Sequence, residues 1–329
     1  MRPLNLLMNQ KNNLNNFFPL KVAIYSVLGF FTIYILFGLD GWGDRASNEN
    51  AVGQVSRWCE RVSDGLLREP SNTLGNLGFI FVGLYMFYKL SQDATSEKGI
   101  TMFGSSSIAV IYAGASTFLG PGSMAMHGTN TEFGAWLDNL SMIMYIIILW
   151  IYNLKKLIGF STRIYLTIYF LLVTLYALDS WYLGGGFGVG ISLFELSIGL
   201  WIATEIVVKF PNIYGRISSG ISVLIIQQLF GSPVLDSFQD FQNNWEMLLY
   251  FSPALIPNLK KPSEIKYSPW FFLGFLSFFG ALLIWETGVP DHPWCNPDSW
   301  LQAHMIWHLL CSAATFSFFK LYRTEKYLT

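Results

Sequence analysis

The chain reads as an all-α polytopic membrane protein, and three observations predict it. Of its 329 residues, 52% are hydrophobic and 17% aromatic, while only 12% are charged. An ordinary soluble domain carries about twice that share of charge, so the bilayer is the expected solvent for most of the chain. The apolar residues also fall in runs near the roughly 20 residues that a helix needs to cross about 30 Å of hydrocarbon. Finally, the basic residues sit in the short segments between runs, as the positive-inside rule expects of a multi-pass protein. A net charge of −1 without a basic tract excludes a nucleic-acid footprint, so no nucleic-acid partner is expected.

Taken in order, residues 1–21 form a tail whose "NQKNNLNN" is Asn-rich and gives no packing signal. The run at 22–39 is expected to be a retained transmembrane helix. It is long, lies behind mixed polar residues, and has no small-x-small cleavage pattern after it. Residues 40–72 connect it to the next spans, expected at 73–90, 103–120, 135–153, 163–181, 187–208, 268–287 and 302–320, with a turn at 121–134. Two shorter runs, 217–231 and 244–257, are interrupted by Gly or Pro, and the 217–257 region reads as an inserted hairpin or re-entrant pair. Eight crossings follow, or ten if both short runs cross. Residues 323–329 are a second tail, and the whole is expected to be one membrane domain.

Basic loops place "KVAI", "KLSQDATSEK", "NLKKLIGFSTR", "KFPNIYGR", "KKPSEIK" and "KLYRTEK" together on the cytoplasmic side, with the C-terminus there too. Residues 40–72, the 121–134 turn, the 182–186 glycines and the 288–301 loop then face the other side. That assignment collects Ser123, His127, Asp138, His304 and His308 near the non-cytoplasmic membrane face.

A helix turns 100° per residue, so side chains four apart project to nearly one side, about 6 Å apart along the axis. "AHMIWHLL" therefore aims His304 and His308 at one target, and "GSMAMH" does the same for Ser123 and His127. An i, i+4 histidine pair is the spacing of helical zinc sites, and three histidines with one open position describe a catalytic rather than a structural zinc. A lone intramembrane His commonly just bonds a neighbour. Here three of the four histidines fall at one depth, which favours the ligand reading, while His292 in a Pro-rich loop reads as solvated. Asp138 opens the next helix, where the helix dipole favours a carboxylate. Facing the bundle near a metal, it would instead accept a hydrogen bond from the metal's water or a ligand His. Ser123 carries the weakest signal, because Ser is common at close helix contacts.

Five stretches, "WCE" at 58–60, "EPSNTLGNL" at 69–77, "GSMAMH" at 122–127, "LDNLSMI" at 137–143 and "HMIWHLL" at 304–310, resemble in order the signatures of the alkaline ceramidases. That family belongs to a superfamily of seven-helix membrane hydrolases that includes the adiponectin-receptor-like proteins. The resemblance implies a seven-helix core bundle within 73–322, to which the helix at 22–39 and the 217–257 insertion are additions. It implies a zinc held by His127, His304 and His308, with Ser123 and Asp138 contacting its water, and hydrolysis of the ceramide amide to a sphingoid base and a fatty acid. Asp138 would serve as general base and then acid, and Ser123 would hold the water or the oxyanion. The partner would be a ceramide-like membrane lipid.

The resemblance also implies a calcium site from the Trp58 carbonyl, Glu60 and Glu69, since hard oxygen ligands suit Ca²⁺. Here Arg57 and Val62 stand where the family carries an Asp and an Asn, and the loop between the two glutamates is two residues shorter, leaving Asp64 as a substitute. Glu60 beside Arg57 and Arg61 reads equally as a surface ion-pair cluster. Cys59 and Cys295 fall on one side, where an oxidising compartment permits a bond and family members carry a similar pairing; Cys311 reads as a packing residue. Two other functions stay open: hydrolysis of a different membrane-lipid bond, as in phospholipid or GPI-lipid remodelling, and a lipid receptor or scaffold with a structural zinc.

Overall fold

The computed structural model describes residues 17–45, 51–52, 55–93, 102–104, 106–230, 245–256 and 263–327. The chain is mostly α-helix: α1 (Phe18–Gly38), the short α2 (Pro70–Gly75), α3 (Leu77–Gln92), α4 (Ser107–Thr129), α5 (Glu132–Ile158), α6 (Thr162–Tyr182), α7 (Leu193–Lys209), α8 (Ile213–Phe230), α9 (Trp270–Glu286) and α10 (Ala303–Tyr322). Among the described residues, five helical segments are long and apolar enough to cross a membrane, namely α1, α2 with α3, α4, α5 and α6. The remaining expected spans are helical with different limits. α7 and α9 have 17 residues each, a rise of about 25 Å. α10 has 20, but His304, His308, Ser312, Thr315 and Ser317 lower its hydropathy.

The expected turn at 121–134 is corrected by the structure. α4 continues through Pro121 to Thr129, and only residues 130–131 separate it from α5. Proline lacks an N–H and breaks most soluble helices, but a membrane helix tolerates it where neighbours re-satisfy the backbone. Around Pro121 the small residues let other helices close in. A Cβ on Gly120 would stand 2.5 Å from the Ile80 side chain, and one on Gly122 would stand 2.9 Å from the Leu137 carbonyl. The "LGPGS" stretch is thus a packing surface between α3 and α5 rather than a turn.

The chain divides into two compact units, Met1–Ser141 with Ile265–Glu325, and Met142–Glu264 with Lys326–Thr329. In the first, α3 packs along α4, α9 along α10, and α10 against both α2 and α3. A Cβ on Gly75 would meet the Met305 backbone at 3.0 Å, which shows how closely α2 approaches α10. α1 lies against α3 and α4, with Val27, Ile80 and Met124 in one buried cluster. In the second unit, α7, α8 and a 3-10 segment (Trp245–Leu255) bury Leu196, Ala203, Val223, Met247 and Tyr250 together. Trp150 and Asn153 of α5 donate to Ser197 and Thr204 of α7 at 3.1 and 3.2 Å. The expected insertion is therefore a helix and a 3-10 segment packed on each other; residues 231–244, which include most of "SPVLDSFQDFQNNWEML", lie outside the described residues, as do residues 1–16 of the expected N-terminal tail.

Among the described residues there are also two short antiparallel pairs, β1 (Ala51–Val52) with β2 (Val55–Ser56), and β3 (Ser263–Glu264) with β4 (Lys326–Tyr327). After β2, residues 57–69 run as an irregular strap to α2. The Arg68 and Glu69 N–H groups donate to the Gly128 and His127 carbonyls at 3.0 Å each, satisfying acceptors that the end of α4 leaves free. The strap is fixed at its other end as well: Cys59 and Cys295 form a disulfide with Cα atoms 5.7 Å apart, and Arg61 pairs with Asp298 at 2.7 Å.

Candidate metal centre

His127 lies in the last turn of α4, while His304 and His308 occupy the first two turns of α10. All three are buried, and their ligand atoms lie within 4.8 Å of one another. The Nε2 atoms of His304 and His308 each stand 3.2 Å from Nε2 of His127. In a tetrahedral complex with metal–nitrogen bonds of about 2.0–2.1 Å, neighbouring nitrogens stand roughly 3.3–3.4 Å apart, so both distances to His127 match an edge of such a site. Among the described residues this is the one group of three or more His, Cys, Asp or Glu side chains arranged to hold a metal.

Protons favour the same reading. Nδ1 of His127 stands 2.7 Å from Glu69 Oε2, so the carboxylate accepts its proton and Nε2 is left as a lone pair. Two further imidazoles then point at one lone pair, an arrangement that a cation sharing all three nitrogens satisfies. Glu69 is itself held: Oε2 accepts from Asn72 Nδ2 and Oε1 from Asn130 Nδ2, each at 3.0 Å. Asn130 is placed for this by its left-handed backbone, φ +50°, at the C-cap of α4.

His304 is supported differently. The Trp58 indole lies parallel to its ring, centroids 4.2 Å apart at 5°, and Trp285 packs against the same indole at 5.1 Å. The buried Nδ1 of His304 has no hydrogen-bond partner.

Ser123 lies one turn before His127 with its Oγ buried and facing the Asp138 carboxylate. Asp138 is the seventh residue of α5, not its cap, so the helix-dipole role expected for it does not apply. It is half-buried and close enough to His127 to act on it electrostatically. A Cβ on Gly134 would collide with the Ala125 carbonyl, a close approach that brings the first turn of α5 against α4.

The residues expected to form a calcium site have other partners. Both oxygens of Glu60 accept backbone N–H bonds from the start of α2, Ser71 at 2.7 Å and Asn72 at 2.8 Å, so this carboxylate caps the helix from outside. Burial pushes the Glu60 carboxyl above its usual range, opposed by those two N–H groups. It is therefore not part of a surface ion-pair cluster; Arg61 pairs with Asp298 instead. All four oxygens of Glu60 and Glu69 face N–H donors, an environment a cation would have to displace. Trp58 contributes its ring, to His304. His292 lies in its loop and accepts from the Trp294 N–H at 3.2 Å, and Cys311 is a free thiol inside α10.

Sequence reasoning missed that Glu69 belongs to His127 and Trp58 to His304. One signal was present: Glu69-x-x-Asn72 and His127-x-x-Asn130 each offer an amide one helical turn from a group that needs orienting. The chain as a whole matches no protein-family model and none of the curated proteins.

Proposed function

We propose that this chain is an integral-membrane, zinc-dependent hydrolase that cleaves the amide of ceramide or a related N-acyl sphingolipid, releasing a sphingoid base and a fatty acid. The observation that carries the reading is the meeting of three buried imidazoles, with the His304 and His308 Nε2 atoms each 3.2 Å from that of His127 and a serine hydroxyl and an aspartate beside them. His127, His304 and His308 would hold the metal. Zinc at such a site polarises an amide carbonyl and lowers the pKa of water toward 7.

The chain's own residues supply the remaining chemistry. Asp138 takes a proton from the attacking water as the C–O bond forms, then delivers it to the amine nitrogen as the C–N bond breaks. Ser123 offers its buried O–H to the developing oxyanion, an interaction stronger in the transition state than in the ground state. Glu69 keeps His127 in the tautomer that leaves Nε2 free. The five stretches resembling alkaline ceramidases support the amide among the bonds this chemistry can cleave, and the loop charges support a site near the non-cytoplasmic face.

The test is turnover of a panel of N-acyl sphingoids and ester lipids by the purified full-length protein, before and after chelation. Release of fatty acid from the N-acyl sphingoids, abolished by chelation and restored by Zn²⁺, is the expected result. Turnover that persists after complete metal removal overturns the mechanism, and turnover of the esters alone overturns the substrate.

A further inference from the structure

No hydrogen bond at Nδ1 fixes the His304 ring from its far side, so whatever holds Trp58 flat against that ring governs where its Nε2 points. Trp58 is followed directly by Cys59, a buried non-glycine residue at φ +74°. Side chains of L-residues rarely occupy that region, because Cβ crowds the backbone there. The left-handed corner sends residues 58 and 60 in different directions: the Trp58 ring meets His304 on α10, and the Glu60 carboxylate meets the first N–H groups of α2. A relaxed residue 59 with negative φ would not serve both contacts.

The corner's other anchor is Cys295, in the loop that leads into α10. The covalent link therefore ties the residue beside Trp58 to the loop preceding the helix that carries His304. We propose that Cys59, through its disulfide to Cys295, is a positioning residue for His304: the bond holds a strained backbone corner that keeps Trp58 flat on the imidazole, so that metal retention depends on the oxidised state. This rests on the three-histidine metal reading. Arg61 is held independently, by Asp298 and by its N–H bond to the Pro297 carbonyl at 3.0 Å, and Glu60 by the start of α2, so breaking the disulfide frees residues 58–59 without releasing the whole strap. The effect is a loosened site rather than an unfolded one.

Cys295 is partly exposed and offers the sulfur at which a reductant attacks. A trialkylphosphine reduces the bond with balanced chemistry: phosphorus gives two electrons, water gives the oxygen of the phosphine oxide and two protons, and two thiols form. The experiment loads the full-length protein in detergent with Co²⁺ and follows its visible d–d bands during chelator competition. It compares oxidised protein, protein reduced by the phosphine and then desalted, and the double variants Cys59→Ser/Cys295→Ser and Cys59→Gly/Cys295→Ser.

Reduction and the Ser pair are expected to weaken Co²⁺ binding by roughly tenfold and change the band shape, the scale of a lost outer-shell contact. The Gly variant is expected to recover most of that loss, because glycine occupies positive φ without strain. Unchanged Co²⁺ binding after reduction overturns the proposal, as does a Gly variant no better than a folded Ser variant. If the Ser pair fails to fold, the reduced wild type and the Gly variant still decide. Oxidised wild type that binds no Co²⁺ brings down the metal reading itself, whatever the cysteines do.

Discussion

His127 and His304 point their Nε2 atoms at one another from 3.2 Å, yet they are held by opposite kinds of neighbour. His127 is anchored at its far nitrogen by a carboxylate, itself clamped by two asparagine amides. His304 is held by its face, against an indole, and its far nitrogen bonds nothing. A hydrogen bond to Nδ1 fixes tautomer, ring rotation and basicity together, whereas stacking fixes the plane of the ring alone. Both supports come from one strap, residues 57–69, so a single irregular segment organises histidines from α4 and α10.

The comparison predicts graded losses. Glu69→Gln should cost the most, because a side-chain amide presents an N–H as readily as an oxygen to Nδ1 and no longer carries charge. Metal affinity should fall roughly 10- to 100-fold, read by chelator competition. If Glu69→Gln bound metal like wild type, the anchored ligand would be no better anchored than the stacked one. Trp58→Leu should cost less, about tenfold in the same measurement, and Trp58→Phe should recover much of that by keeping an aromatic face. Equal losses for Leu and Phe would mean that bulk at this position matters and stacking does not.

The smallest effect belongs to the exposed clamp. The Arg61 guanidinium holds the Asp298 carboxyl below the usual carboxylate range. The pair therefore steadies the strap above the ordinary aspartate value and ceases to do so as pH falls through the depressed one. The rate at which a phosphine reduces Cys59–Cys295 should rise only modestly in Asp298→Asn near neutral pH, and the difference from wild type should vanish in strong acid. A variant difference that grew as pH fell would show that the ion pair does not restrain the disulfide.

What was legible in the sequence and what was not follow from distance along the chain. Apolar runs reveal helices because burial in lipid requires them, and i, i+4 spacing reveals which side chains share a face; His304 and His308 were visible on both counts. Helix ends were harder, since Pro121 signals a break in water but continues α4 here. Asp138 moved from a cap to the second turn of α5 for the same reason. The strap was least legible. Glu69 and His127 are 58 residues apart, and no local periodicity connects a carboxylate in an irregular segment to a ring in a later helix. Glu60 likewise looked like a surface partner of Arg61, yet it is buried and caps a helix that begins ten residues on.

A metal held by the three histidines would leave a direct signature. The most direct measurement is metal content with X-ray absorption on the purified full-length protein and on His308→Ala. The account predicts one zinc per wild-type chain, bound by three imidazole nitrogens at about 2.0–2.1 Å, and loss of stoichiometric zinc in the variant. A variant that keeps stoichiometric zinc with an unchanged spectrum, or a wild-type spectrum without imidazole scattering, would contradict it.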